Sequence, residues 1–222
     1  MNVFVYATAE EAARACAEAL RQRVEEALAD RGAARVALSG GSTPKLLFAA
    51  MREMEARWRE TDWFWVDERC VGPEDEQSNY GMAAREFLDR VAAPPERIHR
   101  VRGELPPEEA AARYEEEIRA AFGGADPEFD VMQLGLGADA HTASLFPGEA
   151  LIERRTGIAA AVYAEKLKQW RVTLLPGVIF GARARLALAT GKDKAEALRR
   201  ITNEELDPRR LPGQLLLAPD AP

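Results

Sequence analysis

The chain has 222 residues, enough for a single domain with a substantial core, expected to span 1–222. At 47% hydrophobic and 30% charged it is globular rather than disordered. A formal net charge of −7 disfavours nucleic acid as a partner, so an anionic small molecule has to be attracted by a local cluster of Lys and Arg.

Strand-like and helix-like patterns alternate, which predicts an α/β fold: a mostly parallel open sheet with helices on both faces, Rossmann-like. Val3 to Tyr6 reads as a first strand. Thr8 and Glu11 form a T-x-x-E capping box, and the helix they open runs to about Asp30 and stops at Gly32. Arg35 to Leu38 is the next strand, Pro44 to about Arg59 a helix, and Trp63 to Val66 a third strand. Ser78 caps a helix that ends before Pro94-Pro95, and Ile98 to Val101 is a short strand. Pro107 starts an acidic helix ending at Gly123-Gly124. Phe129 to Leu134, Ile158 to Val162, Arg171 to Leu175 and Arg185 to Ala189 are strands, and a last helix spans Asp193 to Glu205.

Ligands of open α/β sheets bind beyond the carboxyl ends of the strands, and several unusual clusters fall there. Ser39-Gly40-Gly41-Ser42-Thr43-Pro44 follows a strand and opens a helix, with Thr43 as expected N-cap. Glycines allow close backbone approach, and N–H groups at a helix start favour an anion; an ordinary tight turn fits the segment equally well. Asp67-Glu68-Arg69 ends a buried strand, either as part of a site or as an ion-paired surface turn. His141 lies in the glycine-containing stretch Gly135 to Pro147, two residues after Asp139. Histidine is the side chain best matched to proton transfer near neutral pH, although a loop histidine is often incidental. His99 lacks such a loop and reads as structural. Arg171 and Lys192, the latter following Gly191 at a strand's end, are candidate phosphate-binding cations.

No His, Cys and carboxylate spacing suits zinc, and the G-x-S-x-G elbow and the Walker loop are missing. Gly135-x-Gly137 continues to Ala140, not to the third glycine of a dinucleotide fingerprint. The two cysteines, Cys16 and Cys70, make no disulfide framework. No apolar run reaches membrane-span length, and the N-terminus lacks signal-peptide features, so the expectation is a cytoplasmic protein without membrane contact.

Taken together and in order, Ser39 to Pro44, Asp67-Glu-Arg69 with Ser78-Asn79-Tyr80, Gly135 to Pro147, Arg171-Val-Thr173 and Gly191-Lys192 resemble the 6-phosphogluconolactonases, a branch of the glucosamine-6-phosphate deaminase/isomerase superfamily. The likeness covers nearly the whole chain. Deaminases of that superfamily carry Tyr where this chain has Arg69, and a catalytic Glu five residues after the histidine, where this chain has Phe146. The resemblance implies hydrolysis of 6-phospho-D-glucono-1,5-lactone to 6-phosphogluconate, the second step of the oxidative pentose phosphate pathway, without metal or organic cofactor. It implies His141 as general base, Asp139 or Asp67 orienting it, and Arg69 stabilising the carbonyl oxygen or binding substrate. Gly40, Gly41, Ser42, Thr43, Arg171 and Lys192 would hold the phosphate. Two other readings stand beside this one: an amino-sugar-phosphate deaminase or isomerase, and a non-catalytic sugar-phosphate sensor. A monomer is favoured. Ala140 replaces the family's usual glycine, and the loop is expected to keep φ negative there. The end of the chain, Leu215 to Pro222, is shorter and more Pro-rich than is usual in the family.

Overall fold

The computed structural model describes residues 2–217, apart from the side chain of Ser42. The Pro-rich tail noted above, residues 218–222, lies outside the described residues. In chain order the elements are α1 (Ala9–Arg31), β1 (Ala34–Leu38), α2 (Ser42–Arg52), β2 (Thr61–Trp65), β3 (Asp67–Arg69), α3 (Asn79–Ala83), α4 (Pro107–Ala121), β4 (Val131–Leu134), β5 (Ala159–Ala164), β6 (Gln169–Leu174), α5 (Pro176–Phe180), β7 (Arg185–Ala187) and α6 (Ala195–Asn203). Short 3₁₀ turns link several of them, and α3 continues as a π-helical turn over Ala84–Leu88.

Strands β2, β1, β4 and β7, in that order, form a parallel sheet. Its residues alternate between two cores. Val36, Leu38, Trp63, Trp65 and Val131 enter the core under α1 and α2. Ala37, Phe64, Met132 and Leu134 enter the other. Burial on both faces explains why these strands read as continuous apolar runs. α1 holds its face with Ala17, Leu20, Val24 and Ala27, all fully buried. Its ends match the sequence: Thr8 and Glu11 form the capping box, and Gly32 closes the helix at φ 68°.

The second face differs from the expectation of helices alone. It is covered by α4 together with a separate antiparallel sheet in the order β3, β6, β5. Asp67–Arg69 therefore does not simply end a parallel strand. After Val66, whose N–H donates to the Leu38 carbonyl, the chain crosses into the second sheet and pairs Asp67 with Thr173 and Arg69 with Arg171. That crossing carries three charged residues to the place where the two sheets part.

Three further expectations change. Residues 3–6 form no strand: Phe4 is 72% and Val5 90% exposed, since an apolar run becomes a strand only when a sheet edge takes its backbone. Ile98 to Val101 is reduced to one bridge, Ile98 with Trp63. The helix after β1 stops at Arg52, and its N-cap is Gly41 at φ 109°, not Thr43. Only glycine adopts that backbone without strain.

Candidate active site

Beyond the carboxyl ends of β1 and β4 lies a cleft of about 170 Å³. One wall is the β1–α2 loop with Ser39, Gly40, Gly41 and Thr43; another is Asp67, Arg69 and Arg171; a third is Gly135, Gly137 and His141. Two other clefts, of about 260 and 290 Å³, lie beside α4 and are lined by none of these groups. Their Arg100 and Arg113 are already paired with Glu104 and Glu116.

The β4 loop builds the histidine's position. The N–H of Gly137 donates to the His141 carbonyl at 2.8 Å, and Ala140 N–H donates to the Gly137 carbonyl at 3.0 Å, closing a tight turn. Asp139 Oδ1 accepts from the His141 N–H at 3.2 Å and lies 2.5 Å from His141 Nδ1. An aspartate bonding the backbone two residues on is a turn device, and here it also reaches the ring. The bond from His141, opposed by partial burial, holds the Asp139 carboxyl well below the usual range. An ionised carboxylate only accepts, so the proton of a neutral imidazole sits on Nδ1 and the lone pair is on Nε2. Lys166 lies 3.7 Å from the other Asp139 oxygen.

The turn has a backbone cost. Ala140 sits at φ 68° and Ala143 at 51°, so the expectation of a negative φ at Ala140 is corrected. Ala140 is fully buried, and its carbonyl accepts from Gly213 N–H, so the surrounding structure holds the left-handed conformation in place.

Asp67 does not reach the imidazole through any of its hydrogen bonds or ion pairs. Its Oδ2 accepts from Ser144 Oγ at 2.6 Å and lies 3.6 Å from Arg171 Nη1. Arg171 is 7% exposed, its Nε is buried without a partner, and burial lowers its pKa. Arg171 nevertheless lines the cleft, and a guanidinium fork is the side chain best matched to a phosphate. Arg69 donates from Nη1 to the Gln77 carbonyl at 2.5 Å, and its Nε is likewise buried and unfilled.

Of the two lysines after Gly191, the one lining the cleft is Lys194; Lys192 is exposed and stands outside the lining. The intervening 3₁₀ turn, Lys192–Lys194, carries the cleft-facing position two residues further on. Sequence reading missed Lys194, Asn79 and Ser144, although all three stand in or beside the quoted motifs. Thr43 Oγ1 is within 2.8 Å of Thr190 Oγ1, which ties the glycine loop to the strand end preceding the lysines. Phe146 places its ring 4.8 Å from the His141 ring and 5.7 Å from the Arg171 guanidinium.

Comparison with known proteins decides the family. The model for glucosamine-6-phosphate isomerases/6-phosphogluconolactonase matches residues 7–221. The chain belongs to this family. The 6-phosphogluconolactonase of Aggregatibacter actinomycetemcomitans is 38% identical over 172 residues, 76% of this chain and 73% of the relative. That of Synechocystis is 37% identical over 198 residues, 87% and 82% of the two chains. The crystal structure of 6-phosphogluconolactonase from Thermotoga maritima superposes with a TM-score of 0.81 at 28% identity, covering 91% of this chain and 89% of that one. Phe146, at the position where the sequence reading expects a carboxylate in the deaminases, places an apolar ring beside the histidine.

The remaining candidates are structural. His99 bonds Glu117 at 2.8 Å and stacks on Phe64 with ring centroids 4.4 Å apart. Burial, helped by Glu68 and Glu108, pushes the Cys70 thiol up to about 11, which makes it a poor nucleophile. Among the described residues no group of three or more His, Cys, Asp or Glu side chains is placed to hold a metal ion, and no helix is long and apolar enough to cross a membrane.

Proposed function

We infer that this chain hydrolyses 6-phospho-D-glucono-1,5-lactone to 6-phosphogluconate, with His141 as the general base. The observation that carries the mechanism is a single cleft with a base at one side and an anion receptor at the other. His141 is held by Asp139 with Nε2 free. The Gly40–Thr43 loop and Lys194 line the same space.

In the reaction, Nε2 takes a proton from water as the water oxygen bonds the lactone carbonyl carbon. Negative charge gathers on the carbonyl oxygen, where the positive charge of Arg69, which lines the cleft, stabilises it. Collapse breaks the bond from that carbon to the ring oxygen, and the imidazolium returns its proton to the departing ring oxygen. Asp139 stabilises the imidazolium between those steps. Gly40, Gly41, Ser42, Thr43, Arg171 and Lys194 hold the phosphate, and Asp67 with Ser144 holds Arg171 in place. The chemistry requires neither metal nor organic cofactor. We place the chain in the cytoplasm, acting as a monomer.

The test is acid release from freshly prepared 6-phosphogluconolactone, corrected for spontaneous opening, with parent and His141→Ala proteins side by side. The parent accelerates opening, and His141→Ala loses about two to four orders of magnitude in kcat while still binding 6-phosphogluconate. A parent rate equal to the spontaneous one overturns the assignment. Ammonia release from glucosamine 6-phosphate would favour the deaminase reading instead.

A further inference from the structure

Glu68 lies behind the cleft wall and Asn79 lines the cleft, and neither takes part in the steps above. Glu68 is 2% exposed and gathers four donors. Its Oε1 accepts from Arg69 N–H at 2.8 Å and Asn79 N–H at 2.7 Å. Its Oε2 accepts from Ser78 Oγ at 3.1 Å and Tyr80 N–H at 2.7 Å. This carboxylate sets where α3 begins and so where the Asn79 side chain stands.

Asn79 is 1% exposed and spans two walls of the cleft. Its Nδ2 donates to the Asp67 carbonyl at 2.8 Å and lies 3.5 Å from Asp67 Oδ1. A carbonyl only accepts, so the amide cannot be turned round, and Oδ1 is forced toward Gly40. A Cβ built on Gly40 would meet Oδ1 at 1.7 Å and Cγ at 2.2 Å. The glycine loop therefore rests directly on the amide. Oδ1 itself is buried without a hydrogen-bond partner, a cost that a native interior seldom carries without cause.

We propose that Asn79, held by Glu68, is a positioning residue that fixes the Gly40 phosphate loop relative to Asp67 and its partner Arg171. This rests on the lactonase reading and deepens it. The loop is secured on its other side by Ser39, whose Oγ donates to the Gln133 carbonyl at 2.9 Å. A second tie runs from Thr43 to Thr190, and Asn79 is the support that connects the loop directly to the strand carrying Asp67. Moving the amide separates the loop's N–H groups from Arg171, which weakens phosphate capture more than it weakens proton transfer at His141.

The decisive variant is Asn79→Asp, which keeps the shape under Gly40 but loses the donor to Asp67. It raises KM for the phosphorylated lactone about tenfold or more, with kcat within about threefold of the parent. The deficit relative to the parent narrows as pH is lowered, because the introduced carboxyl regains a donor once it is protonated. Asp67 and Glu68 beside it favour that protonation, and Arg69 and Arg171 oppose it. Parent-like KM at every pH would show that only volume matters and would overturn the proposal. So would a loss confined to thermal stability. If Asn79→Asp does not fold, Gly40→Ala reads the same contact from the other side, and an unchanged KM there also overturns it. The thermal shift produced by inorganic phosphate needs no turnover. It falls in both variants if the proposal holds, even if the parent shows no lactonase activity and the functional reading fails.

Discussion

Gly137 has no side chain where His141 has its ring: a Cβ there would lie 2.1 Å from Nδ1 and 2.2 Å from Cε1. The imidazole occupies the room that the missing side chain leaves, with Asp139 Oδ1 2.5 Å from its Nδ1. Gly137 is at ordinary φ, so close approach and not backbone freedom explains this glycine.

Gly137→Ala accordingly displaces the imidazole from the carboxylate without touching the phosphate loop. We expect kcat to fall by about ten- to a thousandfold while KM and 6-phosphogluconate affinity stay near parental values. Steady-state kinetics with product calorimetry measures both. A variant with parental kcat would mean that the ring can work from another position, and that the Asp139 contact is not needed.

Much of this was legible beforehand, for identifiable reasons. The capping box at Thr8 and Glu11 is a local signal with a local cause, and it folds as read. The buried parallel strands announce themselves because both of their faces are apolar. Residues 3–6 carry the same apolar signal but have no edge to join, and nothing within the segment says so. The antiparallel sheet was hidden because β3 has only three residues, all charged, and its pairing with β6 joins positions about a hundred residues apart. Asp139 was legible as one of two candidate partners for His141 because both lie in one turn, but the choice between it and Asp67 needed the structure. The choice between Lys192 and Lys194 needed it too, since it depends on the rotation of a single 3₁₀ turn. The positive φ of Ala140 was misread because alanine disfavours it, although the glycine usual at that place in the family pointed to it.

That lysine choice is directly testable. Lys194 lines the cleft and is paired with Asp193 at 3.0 Å, whereas Lys192 is exposed. Lys194→Ala should raise KM for the phosphorylated lactone about tenfold or more, and Lys192→Ala by no more than about twofold. Glucono-lactone without phosphate should be a poor substrate for the parent and should respond little to either change. A larger effect from Lys192 would restore the reading made from sequence.

Ala140 sets two energies against each other. A left-handed conformation costs a non-glycine residue about 1–2 kcal/mol, which Ala140→Gly would relieve. Losing one buried methyl costs about 0.8 kcal/mol, and glycine also widens the unfolded ensemble. Ala140→Gly should therefore change stability by less than about 1 kcal/mol in either direction. Ala140→Val adds a branched side chain at a positive φ in a fully buried place, and should destabilise by at least about 2 kcal/mol. Denaturant unfolding of the three proteins checks the order. A valine variant as stable as the parent would mean that the backbone relaxes out of the left-handed region.

The other histidine predicts a pH effect on stability that is separate from catalysis. Burial alone would lower the His99 pKa, but its bonds to Asp62 and Glu117 outweigh burial and raise it. The folded protein thus binds the proton more tightly than the unfolded chain, where an imidazole titrates near about 6.5. The stabilisation is complete below that unfolded value and disappears as pH rises through the higher folded one. Parent and His99→Gln proteins should therefore differ more in unfolding free energy at about pH 5.5 than at about pH 8.5. Asp62 keeps Arg97 as a partner at 3.0 Å in the variant, so the change reports mainly on the histidine's own charge. Urea titrations at the two pH values measure the gap, and a gap that stays constant or widens toward alkaline pH would show that His99 is held as the neutral ring.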